Sequence, residues 1–233
     1  MIALWTWNPL ALALCLIAPF VLRRGLALAA ALVVLLVALV SPIATLADGT
    51  LFSAHMVQHL LLVLVVPPLA LLALEPRAPS GRRRLPPIVA WGLGVGAMWL
   101  WHARALCDAA ATSTLVHRVQ EGSLLAMGAA FWWPILGRRI APLAGAVYLF
   151  GACVACTLLG IALALSPVQV CPAFASPSDP VGLLPTIRGE WGLTPERDQQ
   201  LGGLLMWVPG CVIYLAAVLA MLRRFYRSAE VTG

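Results

Sequence analysis

Nonpolar residues run through this chain in long blocks, broken at intervals by arginines, prolines and short polar stretches. A helix that crosses a membrane needs about 20 consecutive apolar residues, with a range of about 17–25. Seven blocks meet that length: 5–22, 26–46, 51–74, 87–106, 114–136, 141–165 and 199–222. The pattern predicts an all-α integral membrane protein with seven transmembrane helices, forming one domain over residues 1–233. Pro67-Pro68, Pro134 and Pro209 fall inside blocks, where they are expected to kink or end a helix. The longest weakly apolar stretch, residues 166–197, is too short for a soluble core of its own.

Composition agrees with this pattern. The chain is 62% hydrophobic and 10% charged, against about a quarter charged in a soluble domain. Its formal charge of +6 does not imply nucleic-acid binding. All basic residues are arginines, and eleven of the fifteen cluster as Arg23-Arg24, Arg77 with Arg82-Arg83-Arg84, Arg138-Arg139, and Arg223-Arg224 with Arg227. These groups follow the first, third, fifth and seventh blocks. The alternate boundaries carry Asp48, Asp108 and a long loop with Asp179, Glu190, Glu196 and Asp198. The positive-inside rule then places the N-terminus outside and the C-terminus in the cytoplasm. The first block lacks the basic leader of a secretory signal and reads as a retained span.

Trp99, Trp101, Trp132 and Trp133 lie near block ends, where indole rings favour the membrane interface. Most of the six cysteines sit in apolar blocks, where a cysteine packs as a small hydrophobe. Cys153-Val-Ala-Cys156 is read that way too, with redox or copper chemistry as the lesser alternative. Cys107 and Cys171 both fall on the outer side. Two readings stay open for them: a disulfide in an oxidising compartment, or a thiolate added to a site.

Ionisable groups inside a membrane are costly, and by default they mark function. His55 and His59 are four residues apart in the third block, so they share a helix face. His102 lies about one turn from the outer end of the fourth block. His117 lies about one turn into the fifth. On the expected topology all four histidines share the outer half of the membrane. Neutral imidazole is the commonest metal ligand, so the clustering points to a metal or haem site. Met206, about two turns into the last block, adds a thioether of the kind that suits Cu(I). Asp198 is a candidate helix cap or a carboxylate that orients a ligating imidazole. Glu121, one turn from His117, needs a partner, with Arg118 or a histidine available.

No phosphate loop, dinucleotide fingerprint or nucleophile elbow occurs. Nor do paired broken helices mark a secondary transporter. An enzyme is not expected.

The run His55-Met56-Val57-Gln58-His59-Leu60-Leu61-Leu62 followed by Pro67-Pro68 resembles the third-span motif of the multi-span cytochrome c oxidase assembly factors of the caa-type oxidases, the CtaG family. Trp101-His102 with Asp108-Ala109-Ala110 resembles the next motif. His117 with Phe131-Trp132-Trp133-Pro134 resembles the one after, and Asp198-Gln199-Gln200-Leu201-Gly202-Gly203 with Met206-Trp207 resembles the last. Three positions depart from that pattern. Arg104 and Cys107 stand where the family usually has proline and tyrosine, and Glu121-Gly122 stands where it has Glu-His.

The resemblance implies a bacterial inner-membrane protein that works with cytochrome c oxidase subunits or assembly intermediates. It would handle copper through His55, His59, His102 and His117, with Met206 as a soft ligand and Asp198 and Glu121 supporting. Copper would enter from the periplasmic side past the acidic loop and pass laterally to an oxidase subunit. Two alternatives remain: a haem-binding electron-transfer protein with two axial histidines, and a structural subunit of the oxidase.

Overall fold

Lipid offers backbone groups no hydrogen-bond partner, so a chain this apolar must satisfy them within helices. The computed structural model describes residues 5–21, 25–74 and 85–232, which form helices and connecting segments without a strand. The principal helices are α1 (Pro9–Val21), α2 (Leu26–Leu39), α3 (Pro42–Ala47), α4 (Phe52–Leu72) and α5 (Pro87–Trp101). They continue as α6 (Arg104–Thr112), α7 (Thr114–Leu136), α8 (Pro142–Leu165) and α9 (Pro195–Thr232). Three of them contain stretches long and apolar enough to cross a membrane: Phe52–Leu72, Pro142–Leu165 and Pro195–Ser228. Shorter apolar helices cover Pro9–Phe20, Leu26–Leu39 and Pro87–Trp101. The groups Arg23-Arg24, Arg77 and Arg82-Arg83-Arg84 lie outside the described residues. Arg138 and Arg139 are exposed at the α7–α8 turn, with the Arg139 guanidinium 4.9 Å from the Trp133 ring.

Two blocks that read as single spans are broken. The block at 26–46 stops after α2, because Pro42 has no N–H to continue the ladder. Ser41 then starts α3, its side chain accepting from the Ile43 N–H at 3.2 Å. The block at 87–106 ends at Trp101; His102 caps α5, and α6 begins afresh at Arg104. The last block extends the other way: α9 has 38 residues, about 57 Å at 1.5 Å per residue.

Pro134 and Pro209 end no helix, and both lie inside their helices. Pro67-Pro68 has a local effect instead. Pro67 cannot donate to the Val63 carbonyl four residues back, and α4 opens into a π-turn over Leu61–Val65. The Trp132 indole N–H donates to that carbonyl at 3.0 Å. Trp132 is therefore buried in the bundle rather than at an interface, and Trp101 is buried too, donating to Ser123 Oγ at 2.8 Å. Trp99 and Trp133 are exposed.

α8 and α9 pack along most of their lengths, because small residues let their backbones approach. A Cβ on Gly203 would lie 2.6 Å from the Ala164 nitrogen, and one on Gly160 would lie 2.7 Å from Trp207 Cβ.

Candidate functional site

α4 carries His55 and His59, and its N-terminus is fixed from far along the chain. Both Asp198 carboxylate oxygens are taken up there. The Phe52 N–H donates to one at 2.9 Å; the Ser53 N–H and hydroxyl donate to the other at 3.0 and 2.6 Å. Orphan N–H groups at a helix start need such acceptors. Asp198, at the start of α9, thus caps the helix that bears two histidines and does not itself bond an imidazole. Arg188 pairs with it at 3.6 Å.

The four histidines form one contiguous group. Ring centroids are 4.3 Å apart for His55–His59, 5.6 Å for His55–His117 and 5.4 Å for His59–His102. All four are at most 5% exposed. Three of them have one ring nitrogen committed to an oxygen acceptor. His55 Nδ1 donates to the Ala47 carbonyl at the end of α3, at 3.1 Å. His102 Nδ1 donates to the Met98 carbonyl at 2.6 Å, filling an orphan acceptor in the last turn of α5. His117 Nε2 lies 3.3 Å from Glu121 Oε1. Carbonyls and carboxylates only accept, so in a neutral imidazole each such bond takes the single ring proton. The lone pairs left over are at His55 Nε2, His102 Nε2 and His117 Nδ1.

Glu121 is the hub on the α1 side. Arg118 Nη1 donates to both its oxygens at 2.9 Å, and Asn8 and Gln58 each donate at 3.1 Å. The carboxylate therefore orients His117 while its charge is met by Arg118. The buried polar atoms without a hydrogen-bond partner include His55 Nε2, both nitrogens of His59, His117 Nδ1 and both amide atoms of Gln120. Gln120 approaches His59 without completing a well-aligned bond. A proton held by an acceptor on one nitrogen, with the other nitrogen bare, is how metal-ligating histidines are oriented.

Among the described residues, no three His, Cys, Asp or Glu side chains converge on one metal position. The donor chemistry nevertheless fits a metal: several buried imidazole nitrogens have no protein partner. The cavity next to His59 is about 20 Å³, room for roughly one water. It is lined by His59, Met98, Trp99, Phe131, Cys156 and Met206, among others, and Trp99 brings it toward the lipid-facing surface. Met206 thus lines the same cavity as His59, as its position in the sequence suggests, while a different thioether touches an imidazole. Met56 Sδ lies 3.2 Å from His102 Nε2. In the sequence Met56 is simply turned away from the face shared by His55 and His59, and only the docking of α5 brings it to a histidine.

Residues 166–194 cover this end of the bundle. Cys107 on α6 and Cys171 form a disulfide. Phe174 is buried with ring centroids 5.5 Å from both Phe52 and His55. Of the four carboxylates of the acidic loop, Glu190 and Glu196 are exposed and the other two are taken up by the protein. Asp179 accepts from the Leu183 and Leu184 N–H groups, and Asp198 is buried on α4. Position 122 points elsewhere: a Cβ on Gly122 would meet Leu10 Cδ2 at 3.9 Å. Deeper in the bundle, Cys153 Sγ lies 3.2 Å from Cys211 Sγ, and Cys156 Sγ lies 3.5 Å from the Met206 carbonyl.

A family model described as cytochrome c oxidase caa3 assembly factor matches residues 17–228. Compared with curated proteins and with solved structures, the chain shows no match.

Proposed function

The chain belongs to the cytochrome c oxidase caa3 assembly factor family, and from that premise we propose that it binds copper at the histidine cluster and hands it to an oxidase subunit or assembly intermediate. One observation carries the reading: four buried imidazoles pack into one contiguous group, and nitrogens of His55, His59 and His117 are left without a protein partner. The ligands come from His55, His59, His102 and His117, with Met206 close by. Glu121 holds His117 in the tautomer that frees Nδ1. Asp198 holds α4, and so keeps His55 and His59 in place.

The protein spans the bacterial inner membrane with seven helices, N-terminus outside and C-terminus in the cytoplasm. α1, α2, α4, α5, α7, α8 and α9 correspond in order to the seven apolar blocks. The Cys107–Cys171 disulfide supports a periplasmic position for the histidine end, since disulfides persist in oxidising compartments. Copper enters there after Phe174 moves aside, and it leaves sideways along the cavity beside His59 and Trp99. The role is binding and delivery rather than catalysis.

Copper analysis and an absorption spectrum on one purified sample test this. The expected result is stoichiometric copper without a Soret band, with copper lost on acidification as protons compete for the imidazoles. Full copper occupancy in the His55→Ala, His59→Ala double variant would sink the assignment, and a strong Soret band would favour haem instead.

A further inference from the structure

The contact between His102 and Met56 is not an ordinary hydrogen bond. The Met98 carbonyl lies 2.6 Å from His102 Nδ1 and can only accept, so the ring proton is there. His102 Nε2 then carries a lone pair. It points at Met56 Sδ, 3.2 Å away, and a thioether sulfur has lone pairs but no proton to give. Two electron donors face each other at close range in a dry place, with Met56 fully buried. A second imidazolium proton could sit between them, but an unpaired charge there is expensive. A cation bound by both atoms resolves the conflict.

Beside this pair lies His59, whose ring is 5.4 Å from that of His102 and whose nitrogens both lack partners. The pocket is shaped from the far side by α9. A Cβ on Gly202 would lie 2.5 Å from Phe52 Cδ1 and 3.1 Å from Met56 Cγ, so glycine there lets Met56 keep its place. The donors are neutral. The nearby carboxylate, Glu121, is already matched by Arg118 at 2.9 Å. A site built from neutral nitrogen and thioether donors suits a soft monovalent ion, and it leaves a divalent ion undercompensated.

We propose that Met56 is a metal ligand, forming with His102 Nε2 and His59 a site selective for a soft monovalent cation, Cu(I) or its redox-silent analogue Ag(I). This rests on the copper reading above and goes beyond it in naming the thioether, the oxidation state and the selectivity. Met206, which lines the cavity with His59, is then a neighbour on the way out rather than the ligand that defines the site.

The test uses the full chain in detergent, with ¹³C-methyl methionine and Ag(I) as the probe. Six methionines give a readable spectrum, and Met56→Leu and Met206→Leu assign the two signals of interest. One equivalent of Ag(I) is expected to shift the Met56 methyl signal. Met56→Leu is expected to weaken Ag(I) binding about tenfold or more, while Zn(II) binds far more weakly than Ag(I) to the unaltered chain. Unchanged positions of the other methyl signals in Met56→Leu establish that it folds, and Met56→Cys, which restores a soft donor, is expected to recover binding. The inference falls if the Met56 signal stays put while Met206 shifts, or if Met56→Leu binds Ag(I) as the unaltered chain does. In that event, copper lost on His55→Ala, His59→Ala substitution would leave the broader reading standing. Absence of Ag(I) and copper binding altogether would overturn both.

Discussion

In the half of the bundle away from the histidines, Trp91, Trp132 and Tyr148 each donate to a backbone carbonyl, at 2.9–3.1 Å. In the histidine half, two nitrogens of His59, one each of His55 and His117, and the Gln120 amide have no partner. Both halves are packed and both bury polar atoms. Burying an unpaired polar group costs about 1–3 kcal/mol. Random slack in packing would scatter such groups along the helices, yet here they gather around the four imidazoles. The satisfied half reads as architecture. The unpartnered groups of the other half support the binding role proposed for it.

The comparison breaks most easily at Glu121, a point where the histidine half is densely paired. Glu121→Leu takes the carboxylate partner from Arg118, Asn8 and His117 together, and a loss of about 3–5 kcal/mol is expected in thermal unfolding followed by tryptophan fluorescence. Next comes the covalent tie over the site. The disulfide joins residues 64 apart, and the Cys107→Ser, Cys171→Ser double variant is expected to lose about 2–4 kcal/mol, with exposure of the loop detectable by limited proteolysis.

In the satisfied half, Trp132→Phe leaves the Val63 carbonyl without a donor. A cost of about 1–3 kcal/mol is expected, with bound copper unchanged by elemental analysis. The smallest effect on stability sharpens the contrast most. His59→Leu removes two unpaired nitrogens, so it should cost no stability and gain up to about 1 kcal/mol, while bound copper drops. If His59→Leu and Trp132→Phe destabilise the chain equally, the distinction between the two halves is lost.

The helices were legible in the chain because their cause is local. An apolar block in lipid must bond its own backbone, and each block contains a helix that begins within about four residues of the block's start. The breaks at Pro42 and His102 were less visible, since apolar character alone does not reveal where a new cap begins. The gathering of the histidines was legible too, because the helix period and the alternation of arginines place all four at one end.

What the sequence determined by itself is thus a helical membrane chain whose imidazoles gather in one group. Tertiary structure alone decided what each does there. Asp198 looked free to cap its own helix or to steady an imidazole, yet it caps α4 from 146 residues away. Trp132 looked interfacial, yet a proline on another helix freed the carbonyl that draws it inward. Cys107 found Cys171 because the loop folds over the site. Met56 faced away from its own helix's histidines, and the docking of α5 set it against His102. Local pattern reports which face a side chain takes on its own helix. It carries no information about which distant group arrives at that face, because that depends on how whole helices pack.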